Sequence, residues 1–214
     1  MISINADTLI FTGGNAPPAD KWQHLVSPHS TIIAADSGLH QLVDTLHHPH
    51  HIIGDFDSLY DESLLKRYPQ ATIHRHPKAK DETDTELAVL LAQSLGAKSI
   101  ALIGAGEGRI DHLFAITALF SQFPNLHLWL TACEQIIPIH PQKPLKLTLD
   151  IDTTISFYPL LMPQHPIKTE GLTWPFSNFD TLFSKMSLSN TTNKSIIKIE
   201  IADGILLSII PFVI

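Results

Sequence analysis

"SIALIGAGEGRIDHLFAITALFSQF" (99–123) carries three signals in a row. "SIALIG" (99–104) is an apolar run of strand length. "GAGEGRIDH" (104–112) is a glycine turn that carries Arg109 and Asp111. "DHLFAITALFSQF" (111–123) is an apolar helical pattern. Strand, polar turn and helix in that order form the repeating unit of a parallel sheet. The unit recurs upstream. Apolar runs stand at "TLIFT" (8–12), "TIIAA" (31–35), "HII" (51–53), "ATIHR" (71–75) and, downstream, "LHLWL" (126–130). Between them, "GLHQLVDTL" (38–46) places Leu39, Leu42, Val43 and Leu46 at helical spacing. "TDTELAVLLAQSLG" (83–96) does the same with Leu87, Leu90, Leu91 and Leu95, and stops at Gly96. The pattern predicts an α/β fold: a mostly parallel, Rossmann-like sheet with helices on both faces.

The rest of the chain reads differently. From about residue 140 come "LKLTLDI", "TISFYPL", "TLFSKMSLS", "SIIKIEIA" and "ILLSIIPFVI", separated by Pro, Gly, Asn and Asp turns. That predicts a smaller antiparallel β-sandwich domain. The proline-dotted "PIHPQKP" (138–144) reads as the linker, so the expected domains are 1–137 and 138–214.

Composition sets outer limits. Of the 214 residues, 44% are hydrophobic and 16% charged, which is enough apolar material for a sizeable core. A net charge of −7 argues against nucleic acid as the main partner. The single cysteine, Cys133, fits a reducing compartment. The N-terminus has no signal-peptide pattern, and no apolar run is long enough to span a membrane, so a cytoplasmic protein is expected. The histidines of "HHPHH" (47–51) and "HRH" (74–76) flank turns and match no ligand spacing.

Polar residues collect just after the strands: "GGN" (13–15), "ADSG" (35–38), "GDFDS" (54–58), "KAKDETD" (78–84) and "GAGEGRIDH". In a parallel sheet those ends point one way, into the crevice where open α/β sheets bind ligands. Several of these residues also have local readings. Asp55 and Asp57 suit a turn. Thr83 and Glu86 form a capping box, with Asp84 in the first helical turn. The glycine turn with Gly106 and Gly108 suits an anion, and Arg109 a phosphate. Asp36, Asp55, Asp57, Asp81, Asp84 and Asp111 could share this crevice. Two unit charges 4 Å apart interact by about 4 kcal/mol at an effective dielectric of 20. The carboxylates are therefore spread out, partly protonated, or accompanied by a divalent cation. Oxygen ligands suit Mg²⁺ with substrate phosphates. Carboxylates with Arg109, Lys78 and Lys80 describe a phosphoryl-transfer site, and there is no P-loop motif.

The ordered set "ADSG", "GDFDS", "DETDTELA" and "GEGRIDH" resembles the thiamine pyrophosphokinase family, and "EGLTW" (170–174) and "SLSN" (187–190) extend the resemblance into the tail. Three positions depart from the family pattern. Ser37 and Glu107 stand where glycines are usual, and Ile116 where asparagine is frequent. The resemblance implies transfer of a pyrophosphoryl group from ATP to the hydroxyethyl group of thiamine, with release of AMP. It implies a homodimer with active sites between subunits. It implies Mg²⁺ held with the phosphates by Asp55, Asp57, Asp81 and Asp84, which with Arg109 form the catalytic set. ATP would be met by Asp36, Ser58, Lys80, Thr83, Gly106, Gly108, Arg109, Asp111 and His112. Thiamine would be met by Trp174, Ser187, Ser189 and Asn190 of the partner chain. An indole face suits a cationic thiazolium and a flat pyrimidine; the alternative reading of Trp174 is a core tryptophan of the sandwich. Two other functions fit parts of the pattern. One is a Mg²⁺-dependent phosphatase using the D-x-D aspartates. The other is a non-catalytic nucleotide or thiamine binder on the same fold.

Overall fold

The apolar runs of the first 130 residues become strands within a residue or two of their expected limits. The computed structural model describes residues 6–59, 61–106, 109–178 and 186–212. Its described residues divide into two compact units. One is built on Ile4–Leu119 with Phe123–Cys133, the other on Glu134–Ile214 with Phe120–Gln122.

The first unit holds β1 (Thr8–Phe11), β2 (Thr31–Ala35), β3 (His51–Gly54), β4 (Thr72–Arg75), β5 (Ile100–Ile103) and β6 (Leu126–Leu130). All are paired in parallel, in the order β6-β5-β1-β2-β3-β4. Leu9 to Phe11, Ile32 to Ala35, Ile52 and Ile53, and Ile100 to Ile103 are buried. Such unbroken burial is what a parallel sheet covered on both faces requires. β4 is the edge strand and is largely exposed and polar. Chain order reverses between β1 and β5, so the topological switch point lies there.

α1 (Asp84–Ser94) starts at Thr83, whose hydroxyl accepts from the Glu86 N–H at 3.1 Å. Gly96 ends the segment with φ +88°, and its N–H bonds the Gln93 carbonyl. α2 (Ile110–Gln122) follows the glycine turn as expected. The pattern at 38–46 instead gives a 3-10 helix over Asp36–Leu42. The cause is a close approach. A Cβ on Gly38 would lie 2.2 Å from the Phe11 carbonyl oxygen, so this turn is pressed against the end of β1. A tight, seven-residue winding fits where a wider helix does not.

The second unit is antiparallel, as expected. β7 (Glu134–Ile139), β13 (Ile205–Pro211), β9 (Thr154–Leu161) and β11 (Ser187–Thr191) pair in that order. β10 (Lys168–Glu170), β12 (Ile196–Glu200) and β8 (Leu145–Thr148) form a second set. Alternation gives each set one apolar face: Ile155 and Phe157 in the first, Leu145, Leu147, Ile197 and Ile199 in the second. The stretch read as a linker gives its first two residues, Pro138 and Ile139, to β7, and the units part after Cys133. Much of "TLFSKMSLS" lies outside the described residues.

Candidate active site

A cleft of about 510 Å³ opens at the carboxyl ends of the parallel strands. All five loops expected there line it. Thr12, Gly13 and Gly14 follow β1, while Ala35, Asp36 and Ser37 follow β2. Asp57 and Ser58 follow β3, Lys78, Lys80 and Glu82 to Thr85 follow β4, and Ala105, Arg109, His112 and Ile116 follow β5. The loops after β1 and β5 meet at the switch point, where Ala105 N–H donates to the Gly13 carbonyl at 2.9 Å. Gly104 makes this possible. Its φ is +103°, and a Cβ there would lie 2.5 Å from the Thr12 carbonyl oxygen.

The β3 turn is not extended. Gly54 has φ +151° and Phe56 has φ +65°, a left-handed position rare for a bulky residue. Phe56 is 2% exposed, and the Arg75 guanidinium sits 4.8 Å from its ring centroid. Burying that ring holds a strained turn that presents Asp57 to the cleft. Asp55 Oδ1 accepts from the Asp57 N–H at 3.1 Å. Asp55 stands behind the lining rather than in it.

Lysines meet these carboxylates. Lys80 Nζ stands 3.2 Å from Asp55 Oδ2 and 3.1 Å from Asp84 Oδ1, with its side chain only 11% exposed. Lys78 Nζ is 2.5 Å from Asp57 Oδ2, at the surface. Burial works to raise the Asp55 pKa, but the Asp57 N–H and Lys80 outweigh it and hold the carboxyl below its ordinary value. Burial likewise works against charge on Lys80, and its two carboxylates win, so its pKa is raised. Asp84 goes the other way. Burial pushes its pKa up, with Asp36 and Asp55 adding to the rise, against the opposing Lys80. Asp36 accepts from the Ser58 hydroxyl through one oxygen, and its buried Oδ1 has no hydrogen-bond partner among the described residues.

Arg109 lines the cleft at the start of α2 and is paired twice to Asp111, at 3.1 and 2.5 Å. That pair lies at the surface, and it holds the Asp111 carboxyl below its ordinary value. His112 lines the cleft beside it. Asp81 is exposed and outside the lining, so the structure separates it from the carboxylates with which it was grouped. Gly106 is half-buried beside Thr131, while Gly108 and Glu107 lie outside the described residues. Ser37 and Ile116 both line the cleft. Residues not singled out from sequence also build it. Thr12 and Thr85 share a buried hydroxyl contact at 2.6 Å that ties β1 to α1. Their 73-residue separation left no local signal.

In the second unit, Trp174 is 61% exposed, which rules out the core-tryptophan reading. Asn190, 2% exposed, holds it. The Asn190 amide accepts from the Trp174 and Thr191 N–H groups at 3.1 and 2.9 Å. It donates to the Trp174 carbonyl and the Ser187 hydroxyl at 2.7 and 3.1 Å. Ser189 has φ +50° at an irregularity in β11, and its N–H donates to the Ser156 hydroxyl at 2.9 Å.

Residues 22–130 match the thiamin pyrophosphokinase catalytic domain, and residues 138–206 match the thiamin pyrophosphokinase vitamin B1 binding domain. The chain belongs to the thiamin pyrophosphokinase family. A thiamine pyrophosphokinase of Bacillus subtilis (strain 168) is 27% identical over 186 residues, covering 85% of this chain and 87% of that one. The fold agrees with solved members. A crystal structure of thiamine pyrophosphokinase from Bacillus subtilis superposes with a TM-score of 0.78 at 24% identity, covering 97% of this chain and 99% of that one. One from Geobacillus thermodenitrificans gives 0.80 at 22%, covering 96% and 98%. Within the thiamin pyrophosphokinase catalytic match fall "ADSG", "GDFDS", "DETDTELA" and Arg109, the segments that supply most of the cleft lining.

Proposed function

We propose that this chain is a thiamine pyrophosphokinase, an ATP:thiamine diphosphotransferase that passes the pyrophosphoryl group of ATP to the hydroxyethyl oxygen of thiamine and releases AMP. One observation carries the reading. A chain that matches both domains of that family places aspartates and lysines together at the switch point of a parallel sheet. ATP occupies the cleft, with residues 1–137 as the ATP and Mg²⁺ domain. Residues 138–214 take thiamine and support the homodimer, with active sites between subunits. The exposed apolar pair Ile110 and Phe114, one turn apart on α2, supports a subunit contact. The absence of any helix long and apolar enough to cross a membrane among the described residues is consistent with a cytoplasmic enzyme.

The donor set fits Mg²⁺. Its candidate ligands are all oxygens, and Asp36, whose buried Oδ1 has no hydrogen-bond partner among the described residues, lines a cleft with Asp57 and Asp84. No group of three or more His, Cys, Asp or Glu among the described residues could hold an ion unaided. An ion there needs phosphate and water ligands as well, which is the habit of Mg²⁺. Asp57 and Asp84, beside Asp36, would hold it, and it supplies neutralising charge at the phosphate oxygens. Asp55 works one layer back, orienting Lys80 and the Asp57 backbone. Lys78, Lys80 and Arg109 hold the phosphates in line for attack on the β-phosphorus. Between Asp81 and Asp84 as the group that orients the thiamine hydroxyl, only Asp84 lines the cleft. A loose transition state asks for this positioning and charge more than for a strong base.

The deciding assay is AMP formation with and without thiamine. AMP appears only with thiamine if this reading holds. A phosphatase would release phosphate from monoesters with no acceptor, and a binding protein would make no AMP. Asp57→Asn is expected to lower turnover by more than about tenfold. A loss within about threefold, under 1 kcal/mol of barrier, would contradict a role for Asp57 at the phosphates.

A further inference from the structure

The first unit has a second cavity, of about 380 Å³, at the opposite pole of the sheet. The active cleft takes the residues that follow the strands, whereas this cavity takes those that precede β3 and β4. Its walls include His48, His50, Arg67, Tyr68 and Gln70. Its volume lies within the usual range of small-molecule sites.

Its chemistry differs from the rest of the surface. The chain carries a net charge of −7, yet no carboxylate stands among the described residues lining this cavity. Asp44 is near enough for the Tyr68 phenol to feel its charge, but it is not in the lining. His50 Nδ1 accepts from the Ile32 N–H at 2.9 Å. With Nδ1 accepting, the ring's other nitrogen, Nε2, is its hydrogen-bond donor. Arg67 donates to the Val43 carbonyl at 3.3 Å with one of its five N–H groups and keeps the others. Gln70 makes no side-chain hydrogen bond to a described residue. Tyr68, 5% exposed, and His48 place their rings edge to face at 5.8 Å and form an aromatic corner in the cavity wall.

We propose that this cavity binds a small planar anion, an aromatic or heterocyclic ring bearing a phosphate or carboxylate. The aromatic corner takes the ring. Arg67 and the His50 Nε2–H take the charged group, and the guanidinium suits the flat, forked geometry of either anion. β3 and β4, four residues each, link this cavity to the cleft over about 13 Å. The proposal stands independently of the reaction assigned to the cleft.

The test follows the imidazole resonances of His48 and His50 and the ring of Tyr68 by NMR on the full chain, titrated with AMP, adenosine or inorganic phosphate. AMP is expected to shift all three residues. Adenosine, which lacks the anion, and phosphate, which lacks the ring, are expected to bind there at least tenfold more weakly. Arg67→Ala and the milder Arg67→Gln should each weaken AMP at these resonances tenfold or more. Arg109→Ala, in the cleft, should leave them responding as before, which separates this cavity from nucleotide binding at the active site. Unmoved rings at millimolar AMP, or shifts that survive both Arg67 variants, would overturn the proposal. An equal response to inorganic phosphate would overturn the ring-plus-anion class.

Discussion

Asn190, expected from the resemblance to meet thiamine, spends its side chain on the chain itself. Its amide makes four hydrogen bonds, all within the chain, and two of them grip the backbone of Trp174. No donor or acceptor remains for a ligand. On the proposed function, its part is therefore to fix the loop that presents the exposed indole. Asn190→Ala would leave buried backbone groups of Trp174 unpaired, at a cost of about 1–3 kcal/mol of stability. With Trp174 released, KM for thiamine should rise several-fold while KM for ATP stays near wild type. Steady-state kinetics with each substrate varied in turn would check this, alongside a urea melt. A fall in kcat with both KM values unchanged would mean that Asn190 acts elsewhere. The motif "SLSN" announced a functional segment, but whether its asparagine faces ligand or backbone depends on the neighbouring strand, which no local spacing records. The same holds for Lys80. It was expected at the phosphates, and its partners in the chain are Asp84 one turn on and Asp55, 25 residues away.

At the scale of elements, legibility followed the kind of burial. The parallel strands inside the edge strand β4 are buried on both faces, so they read as short apolar blocks, and the capped helix α1 announces both ends through Thr83 and Gly96. β7 escaped because Pro138 lies within it and looked like linker chemistry. That proline pairs opposite Leu207 and only has to forgo a donor. The β3–β4 edge carries a testable consequence. His51 Nδ1 and His74 Nε2 lie 3.1 Å apart and share one hydrogen bond. Burial first, then the neighbouring histidines, holds both pKa values below the usual value of about 6.5. Between the folded and unfolded pKa values the unfolded chain binds more protons, so this pair makes stability rise with pH. Stability is expected to fall as pH drops below about 6.5 and to be insensitive to this pair above about 7.5. Urea midpoints at pH 5.5 and 8 measure it. His74→Gln, which can still bond His51, should reduce the difference between the two while leaving the pH 8 midpoint nearly unchanged. A difference as large as in wild type would assign the acid sensitivity to other groups.

At the scale of the whole molecule, the two candidate substrate regions of the proposed function fall in separate units of the chain. The carboxylates and lysines belong to the first, and Trp174 with its asparagine support to the second. If each active site is completed across a two-fold dimer, Asp57 of one protomer works with Trp174 of the other. Asp57→Asn and Trp174→Ala homodimers should each be nearly inactive for different reasons. A heterodimer of the two would carry one site with both residues replaced and one site fully intact. Free reassortment of equal amounts makes half the dimers mixed, so activity should recover to about a quarter of wild type. A denaturation and refolding mix, with heterodimer content read by native mass spectrometry, measures this directly. Sedimentation as a monomer at assay concentrations would remove the shared-site arrangement. Heterodimers that form without regaining turnover would place Asp57 and Trp174 in the same subunit's site.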